Sequence, residues 1–218
     1  MVQIFRPSAD TVARVALVSL LVVPFLAIAL AYLLMQSPYV TSQNITVRQP
    51  VPFSHEHHVS GLGLDCRYCH SGVERSATAG IPPTHTCMTC HSQLYTQAAM
   101  LEPIRRSLAD NKPVAWNKVN RLPDYVYFDH SIHIAKGVGC TTCHGPVGKM
   151  PLMRAGAPLT MGWCLDCHRD PAPRLRPASA VFDPQWTPPD DQRKQGQALL
   201  GYYHINNSHL TDCTVCHR

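Results

Sequence analysis

Residues 128–144 read FDHSIHIAKGVGCTTCH. His130 and His133 stand three apart, and seven residues after His133 comes the unit Cys140-Thr-Thr-Cys143-His144. Residues 53–70, FSHEHHVSGLGLDCRYCH, repeat this order: His55 and His58, then Cys66-Arg-Tyr-Cys69-His70. Both stretches fit F-x-H-x-x-H-[VI] followed by C-x-x-C-H. The second half of the pattern recurs at Cys87-Met-Thr-Cys90-His91, Cys164-Leu-Asp-Cys167-His168 and Cys213-Thr-Val-Cys216-His217. The 10 cysteines therefore fall into five identical units with none left over.

C-x-x-C-H is the attachment signature of c-type haem. Two cysteines three apart share one side of a helical turn, where each can form a thioether to a haem vinyl group. The next residue, His, is then placed under the iron as its proximal ligand. Disulfides, redox C-x-x-C sites and zinc also use paired cysteines. None of them explains a histidine after the second cysteine five times. The expectation is five covalently bound c-type haems, with His70, His91, His144, His168 and His217 as proximal iron ligands.

A low-spin, electron-transferring iron needs a sixth ligand. Three-residue spacing puts two imidazoles on one helical face, one turn apart. His55, His58, His130 and His133 are accordingly expected as distal ligands of four haems, each pair reaching two neighbours. His57 breaks the repeat and is not counted. For the fifth iron the candidates are Met161, Met150, Met153, His209, His204 and His85. A methionine is favoured, Met161 or Met150, with His209 close behind; a thioether ligand would raise that haem's potential.

Composition agrees with a cofactor-filled interior. The chain has 218 residues with 19 Pro and only 5 Phe and 3 Trp. Outside residues 15–35 it is Pro-rich and poor in long apolar runs, too poor to bury a sufficient core unaided. About 183 residues follow Met35, about 37 for each unit, so the haems must pack closely into a chain. The formal charge of +5 comes without a basic stripe or a nucleic-acid motif. Propionates of five haems would add roughly ten negative charges.

Residues 15–35, VALVSLLVVPFLAIALAYLLM, carry no charge. As a helix they span about 31 Å, one hydrocarbon thickness. Arg6 and Arg14 precede the run and no Lys or Arg follows until Arg48, which by the positive-inside bias puts the N-terminus in the cytoplasm. Ala29-Leu-Ala31 resembles a cleavage box, but the run continues to Met35 and is long for a signal peptide. A single-pass anchor in the cytoplasmic membrane is expected, with the haem domain on the periplasmic or extracytoplasmic face.

The order of motifs divides the chain into a cytoplasmic tip and anchor (1–36), a linker (37–52), a first dihaem module (53–120), a second (121–171) and a tail with the fifth haem (172–218). An apolar stripe at 94, 101, 104 and 108 predicts a helix over 94–109, and another short helix is expected over 192–204. Proline-rich 171–177 and 184–189 are expected as extended or loop, and 126–128 as at most a short extended piece. The fold class is a mainly α and irregular multihaem cytochrome c with one N-terminal transmembrane helix and little β.

Beyond the bare units, the stretches FSHEHHVSGLGLDCRYCHSGVE (53–74), IPPTHTCMTCH (81–91), WNKVNRLPDYVYFDHSIHIAKGVGCTTCHG (116–145), MGWCLDCHR (161–169) and TDCTVCHR (211–218) span essentially the whole chain. Together with the N-terminal anchor, they resemble the pentahaem cytochrome c subunit of alternative complex III. The resemblance implies an electron-transfer subunit, not an enzyme by itself, in a membrane complex that oxidises quinol. Its implied partners are an iron–sulfur subunit, polytopic membrane subunits and a monohaem cytochrome c, besides membrane lipid. Electrons would leave to that cytochrome, a soluble carrier or a terminal oxidase. Two other functions compete: a stand-alone single-helix quinol dehydrogenase, and a multihaem reductase. The reductase needs an open iron position, whereas all five units end in His and enough ligands remain to close every iron.

Overall fold

The structure is a computed structural model that describes Arg6 and residues 8–217. Most of the expected cytoplasmic tip thus lies outside the described residues. The chain divides into two units, residues 1–42 and 43–218.

The first unit is one helix, α1 (Ser8–Gln36), with a short turn α2 (Pro38–Thr41). An Asp10–Arg14 ion pair at 2.9 Å sits at its polar N-terminal end. None of the residues of α1 is buried, and Pro24 lies within it. The helix is long and apolar enough to cross a membrane, a character that an anchor shares with a signal sequence.

The second unit is built from short helices and loops. Among its described residues, β pairing is confined to isolated bridges, Gln43–Ala155, Thr46–Arg154 and Val138–Leu175. The helices follow the motifs. A π-helical turn, π1 (Glu56–Gly61), carries His58 of the first His pair and is preceded by His55 at its N-terminus. α3 (Cys66–Cys69), α4 (Thr84–His91), α7 (Cys140–His144), α8 (Met161–Arg169) and α10 (Cys213–Cys216) carry the five C-x-x-C-H units. α6 (His130–Ala135) carries the second His pair. α5 (Glu102–Ala109) and α9 (Gln192–Tyr202) are the two supporting helices.

The helix expected over 94–109 is shorter than its apolar stripe. A 3₁₀ turn at Ala99–Leu101 leads into α5, and Tyr95 is left-handed at φ 55°. Pro103 is the reason: with no N–H and a ring that fits only the first helical turn, it makes Glu102 a start rather than a middle. α9 stops at Tyr202, close to expectation, and His204 (φ 51°) turns the chain away.

The buried apolar side chains of the second unit are few and mostly small: Val51, Val73, Ile104, Met150, Ala155, Ala157, Ala172, Leu175, Val181 and Tyr203. Only Met150 and Leu175 are large and completely buried. A stretch of this length held by side chains alone would need a far larger apolar core. Polar latches connect the parts instead. Arg176, 4% exposed, donates to the hydroxyls of Thr141 and Thr142 and to the carbonyls of Ala180 and Asp183, with its guanidinium 4.3 Å above the Trp186 ring. Tyr203 donates to the Arg176 carbonyl at 2.8 Å. The C-terminal segment is thereby tied to the third C-x-x-C-H unit.

Candidate haem-binding site

The decisive geometry lies between histidines. His55 faces His70 with ring centroids 6.5 Å apart and planes 6° apart; His130 faces His144 at 6.2 Å and 2°. His58 stands 6.3 Å from His91, and His133 stands 6.1 Å from His168. Two metal–imidazole bonds of about 2.0 Å, plus about 1.1 Å from each nitrogen to its ring centre, give collinear centroids about 6.2 Å apart. Each separation is that of two imidazoles on opposite sides of one metal. Direct ring stacking would bring them closer. In every case one partner follows a C-x-x-C pair and the other belongs to an H-x-x-H pair.

The hydrogen bonds orient the rings for this. Nδ1 of His70 donates to the Gly80 carbonyl (2.7 Å), His91 to Leu94 (3.1 Å), His168 to Leu210 (2.8 Å) and His217 to Tyr125 (3.1 Å). On the distal side, His58 donates to Ser54 (2.8 Å), His130 to Ala77 (2.8 Å) and His133 to Asp129 (2.7 Å). With the proton held on Nδ1, Nε2 keeps its lone pair for a metal. His144 lies 3.0 Å from the Asn120 amide nitrogen, while Asn120 Oδ1 is buried without a partner. Exchanging the two ends of that amide lets Nδ1–H of His144 donate to the oxygen. His55 Nδ1 is buried without a partner.

Electrostatics favour the neutral, ligating form. Burial, then the neighbouring His70, His58 and His144, lowers the His55 imidazole to about 4. Burial, then His130 and His70, lowers His144 to about 4, and burial lowers His133. At neutral pH a metal would compete with no proton for His55 and His144.

The cysteines sit on helical turns, and two of the five turns are capped by a side chain. Asp65 caps α3 by accepting from Arg67 N (2.8 Å), and Thr160 caps α8 by accepting from Trp163 N. All ten thiols are free of disulfides. Burial pushes Cys143 up to about 12, and the hydrogen bond with Cys66, then burial, raises Cys140. Behind the third unit, Gly145 is left-handed (φ 72°), and a side chain on Gly156 would strike the His144 backbone, so the chain packs tightly there.

His217 has the Tyr125 ring beside it, centroids 5.8 Å apart, and no described imidazole faces it as in the other four pairs. Of the residues expected near the fifth iron, Met150 is enclosed by protein (0% exposed), while Met161 is 67% exposed at the start of α8. His209 is exposed and within 3.0 Å of Asp212; His85 and His204 are exposed, and Met153 is half-buried. His57 is exposed, its ring edge-on to His58.

Sequence reasoning passed over what surrounds the ligands. Phe53 lies flat on His58 (4.4 Å, 26°) and edge-on to His55 (4.9 Å, 87°). Phe128 does the same to His133 (4.5 Å, 28°) and His130 (4.8 Å, 89°). The repeated F at the head of F-x-H-x-x-H was the available clue. Asn120 left none.

Residues 126–218 match the family model of cytochrome c7 and related cytochrome c. The menaquinone reductase, multihaem cytochrome c subunit, of Nitratidesulfovibrio vulgaris (strain Hildenborough) is 36% identical over 97 residues, which are 44% of this chain and 45% of that protein. The match thus spans less than half the length of that relative. Units, imidazole pairs and family match converge on one part of the chain: a multihaem cytochrome c domain, mainly helical and irregular, matched over residues 126–218.

Proposed function

We propose that this chain is the membrane-anchored five-haem subunit of a quinol-oxidising membrane complex of the alternative complex III kind. In this reading α1 is the anchor, with its N-terminus in the cytoplasm and the haem domain on the extracytoplasmic face. The observation that carries the relay role is the four imidazole pairs separated by 6.1–6.5 Å. Bound haem supplies a one-electron carrier at each unit. The chain's residues do the rest. The paired cysteines would attach each haem, and His70, His91, His144 and His168 would each give its iron an imidazole. His55, His58, His130 and His133 would supply the second imidazole, so that no site would be left for a substrate.

For the fifth unit His217 is the proximal ligand, and Met161 is the distal one. Met161 is exposed and lies one helical turn before Cys164, whereas Met150 presents no free face to an iron. The chain is then not an enzyme by itself. Its partners are an iron–sulfur subunit, polytopic subunits and a monohaem cytochrome c.

The test is purification of the tagged full chain in mild detergent. Copurification of polytopic and iron–sulfur subunits with quinol oxidation supports the reading. A stable single subunit that oxidises quinol alone overturns it in favour of a stand-alone dehydrogenase. A second direction of flow, toward the quinone, is favoured by the relative's name as a menaquinone reductase subunit. Measuring whether the purified complex reduces a menaquinone analogue from a reduced cytochrome decides between the two directions.

A further inference from the structure

The two modules are copies of one motif order, so they could follow each other head to tail, with haem sites in sequence order. The contacts between them say otherwise. Within the first module, π1 and its N-terminal His55 supply both distal imidazoles: His55 opposite His70 and His58 opposite His91. Phe53 sits between the two rings, and Tyr68 Oη lies 2.8 Å from Thr89 Oγ1, joining the intervening residues of the first and second units. The first and second sites are therefore adjacent. By the same logic α6 makes the third and fourth adjacent, through His130 with His144 and His133 with His168.

The join between modules runs through the first and third sites. Val181 and Phe182 offer consecutive carbonyls, one to the Cys140 N–H (3.3 Å) and one to the Cys66 thiol (3.8 Å). His130 Nδ1 donates to the Ala77 carbonyl and Ser131 N to the Ser76 carbonyl, both in the loop after His70. The thiols of Cys66 and Cys140 lie within hydrogen-bond reach of each other. Cys66 and Cys140 are equivalent positions, each the first cysteine of its module. Contact between equivalent residues is the mark of an isologous, two-fold-like interface; a head-to-tail stack would bring unlike positions together. The fifth unit attaches beyond the fourth: His168 donates to the carbonyl of Leu210, three residues before Cys213. Cys216 and His217 are held from Tyr127 N and the Tyr125 carbonyl, in the strip leading into α6.

Exposure gives an independent indication. Of the ten cysteines, Cys90 and Cys213 alone are exposed, and they belong to the second and fifth units. In the third unit neither cysteine is exposed, and Gly139 just before it is buried.

We infer that the five haem-attachment sites are strung in the spatial order second, first, third, fourth, fifth: the modules are joined head to head at Cys66 and Cys140, and the Cys87–His91 and Cys213–His217 sites are the two ends. This rests on the reading that each unit holds a haem. Its consequence is that electrons pass between the protein and its partners at the second and fifth sites, while the third is internal. The order matters because a site's rank in the sequence, which places the Cys66 unit at the head, does not give its place in the relay.

The test is a cryo-electron microscopy map of the full-length, haem-loaded chain, alone in detergent or within its complex, with each iron traced to its cysteines. The expected result is that the nearest irons to that of the Cys66 unit belong to the Cys87 and Cys140 units. The Cys87 and Cys213 irons should each have a single near neighbour. An iron at the Cys87 unit closer to the Cys140 iron than the Cys66 iron is would overturn the head-to-head order while leaving haem attachment intact. Cysteines without covalent haem would overturn the order together with the reading beneath it.

Discussion

Phe128 lies flat against His133, with centroids 4.5 Å and planes 28° apart, and meets His130 edge-on at 4.8 Å. One aromatic ring therefore fixes two imidazoles at once, about a right angle apart in their relation to it. Phe53 makes the same two contacts with His58 and His55, so the wedge is part of the repeated unit. An imidazole can ligate only if its ring plane and Nε2 direction are held, and a neighbouring carbonyl fixes just one atom of it.

Replacing this wedge should loosen ligands rather than merely lower stability. Phe128→Ala removes a half-buried ring, at a cost of about 2 kcal/mol. It should also convert part of the third and fourth haems to high-spin ferric iron, visible by electron paramagnetic resonance. Phe128→Tyr should keep the low-spin spectrum. A Phe128→Ala protein with lower thermal stability but an unchanged spectrum would count against an orienting role.

The fifth ligand is separable by spectroscopy. Met161→Ala should abolish the near-infrared methionine–iron charge-transfer band and lower one midpoint potential, because a thioether ligand raises the potential relative to imidazole. Met150→Leu should leave the band in place, costing under about 1.5 kcal/mol as a volume-conserving core change. Should His209→Ala alter the fifth haem while Met161→Ala does not, the assignment passes to His209.

How much of this was legible in the sequence follows from where each constraint resides. The five C-x-x-C-H units and the two H-x-x-H pairs are local patterns, written within five residues and along one turn, so local reading finds them. Which ring of an H-x-x-H pair faces which C-x-x-C-H histidine is a tertiary fact: His58 stands 6.3 Å from His91, 33 positions away, and no periodicity encodes that. The α5 helix came out shorter than its apolar stripe because Pro103 sets a boundary that a count of apolar positions ignores. Met150 and Met161 looked alike as thioethers. Burial separates them, and burial is invisible before the chain folds.

Asp65 offers a pH test outside the iron ligands. Its side chain accepts from the Arg67 backbone N–H and forms a two-pronged ion pair with the Arg67 guanidinium at 2.9 Å. These hydrogen bonds hold its carboxyl below the ordinary 3.8. A depressed carboxyl contributes its stability fully above the unfolded value and loses it as pH falls through the lower folded value. Asp65→Ala should therefore cost about 1 kcal/mol at neutral pH, as for a lost helix cap. The difference from the parent should shrink below pH 3.8. Denaturant unfolding at both pH values measures it, and a difference independent of pH would sink the cap argument.

The last prediction concerns the chain before haem is attached. Among the described residues from Gln43 onward the buried apolar side chains are ten, three of them alanine, and just two are large and completely buried. Ordering a residue costs roughly 1–2 kcal/mol of backbone entropy, which so small a core cannot offset. The imidazoles add a further cost, because His55 and His144 are desolvated by burial in the folded arrangement. Covalently held porphyrin would supply apolar surface, and its iron would satisfy the Nε2 atoms. The soluble part expressed without haem attachment should therefore lack a cooperative thermal transition and be cleaved rapidly by protease. The haem-loaded form should resist both. Circular dichroism and limited proteolysis of the two forms decide the matter: a haem-free chain that melts cooperatively would mean that side chains alone suffice to fold it.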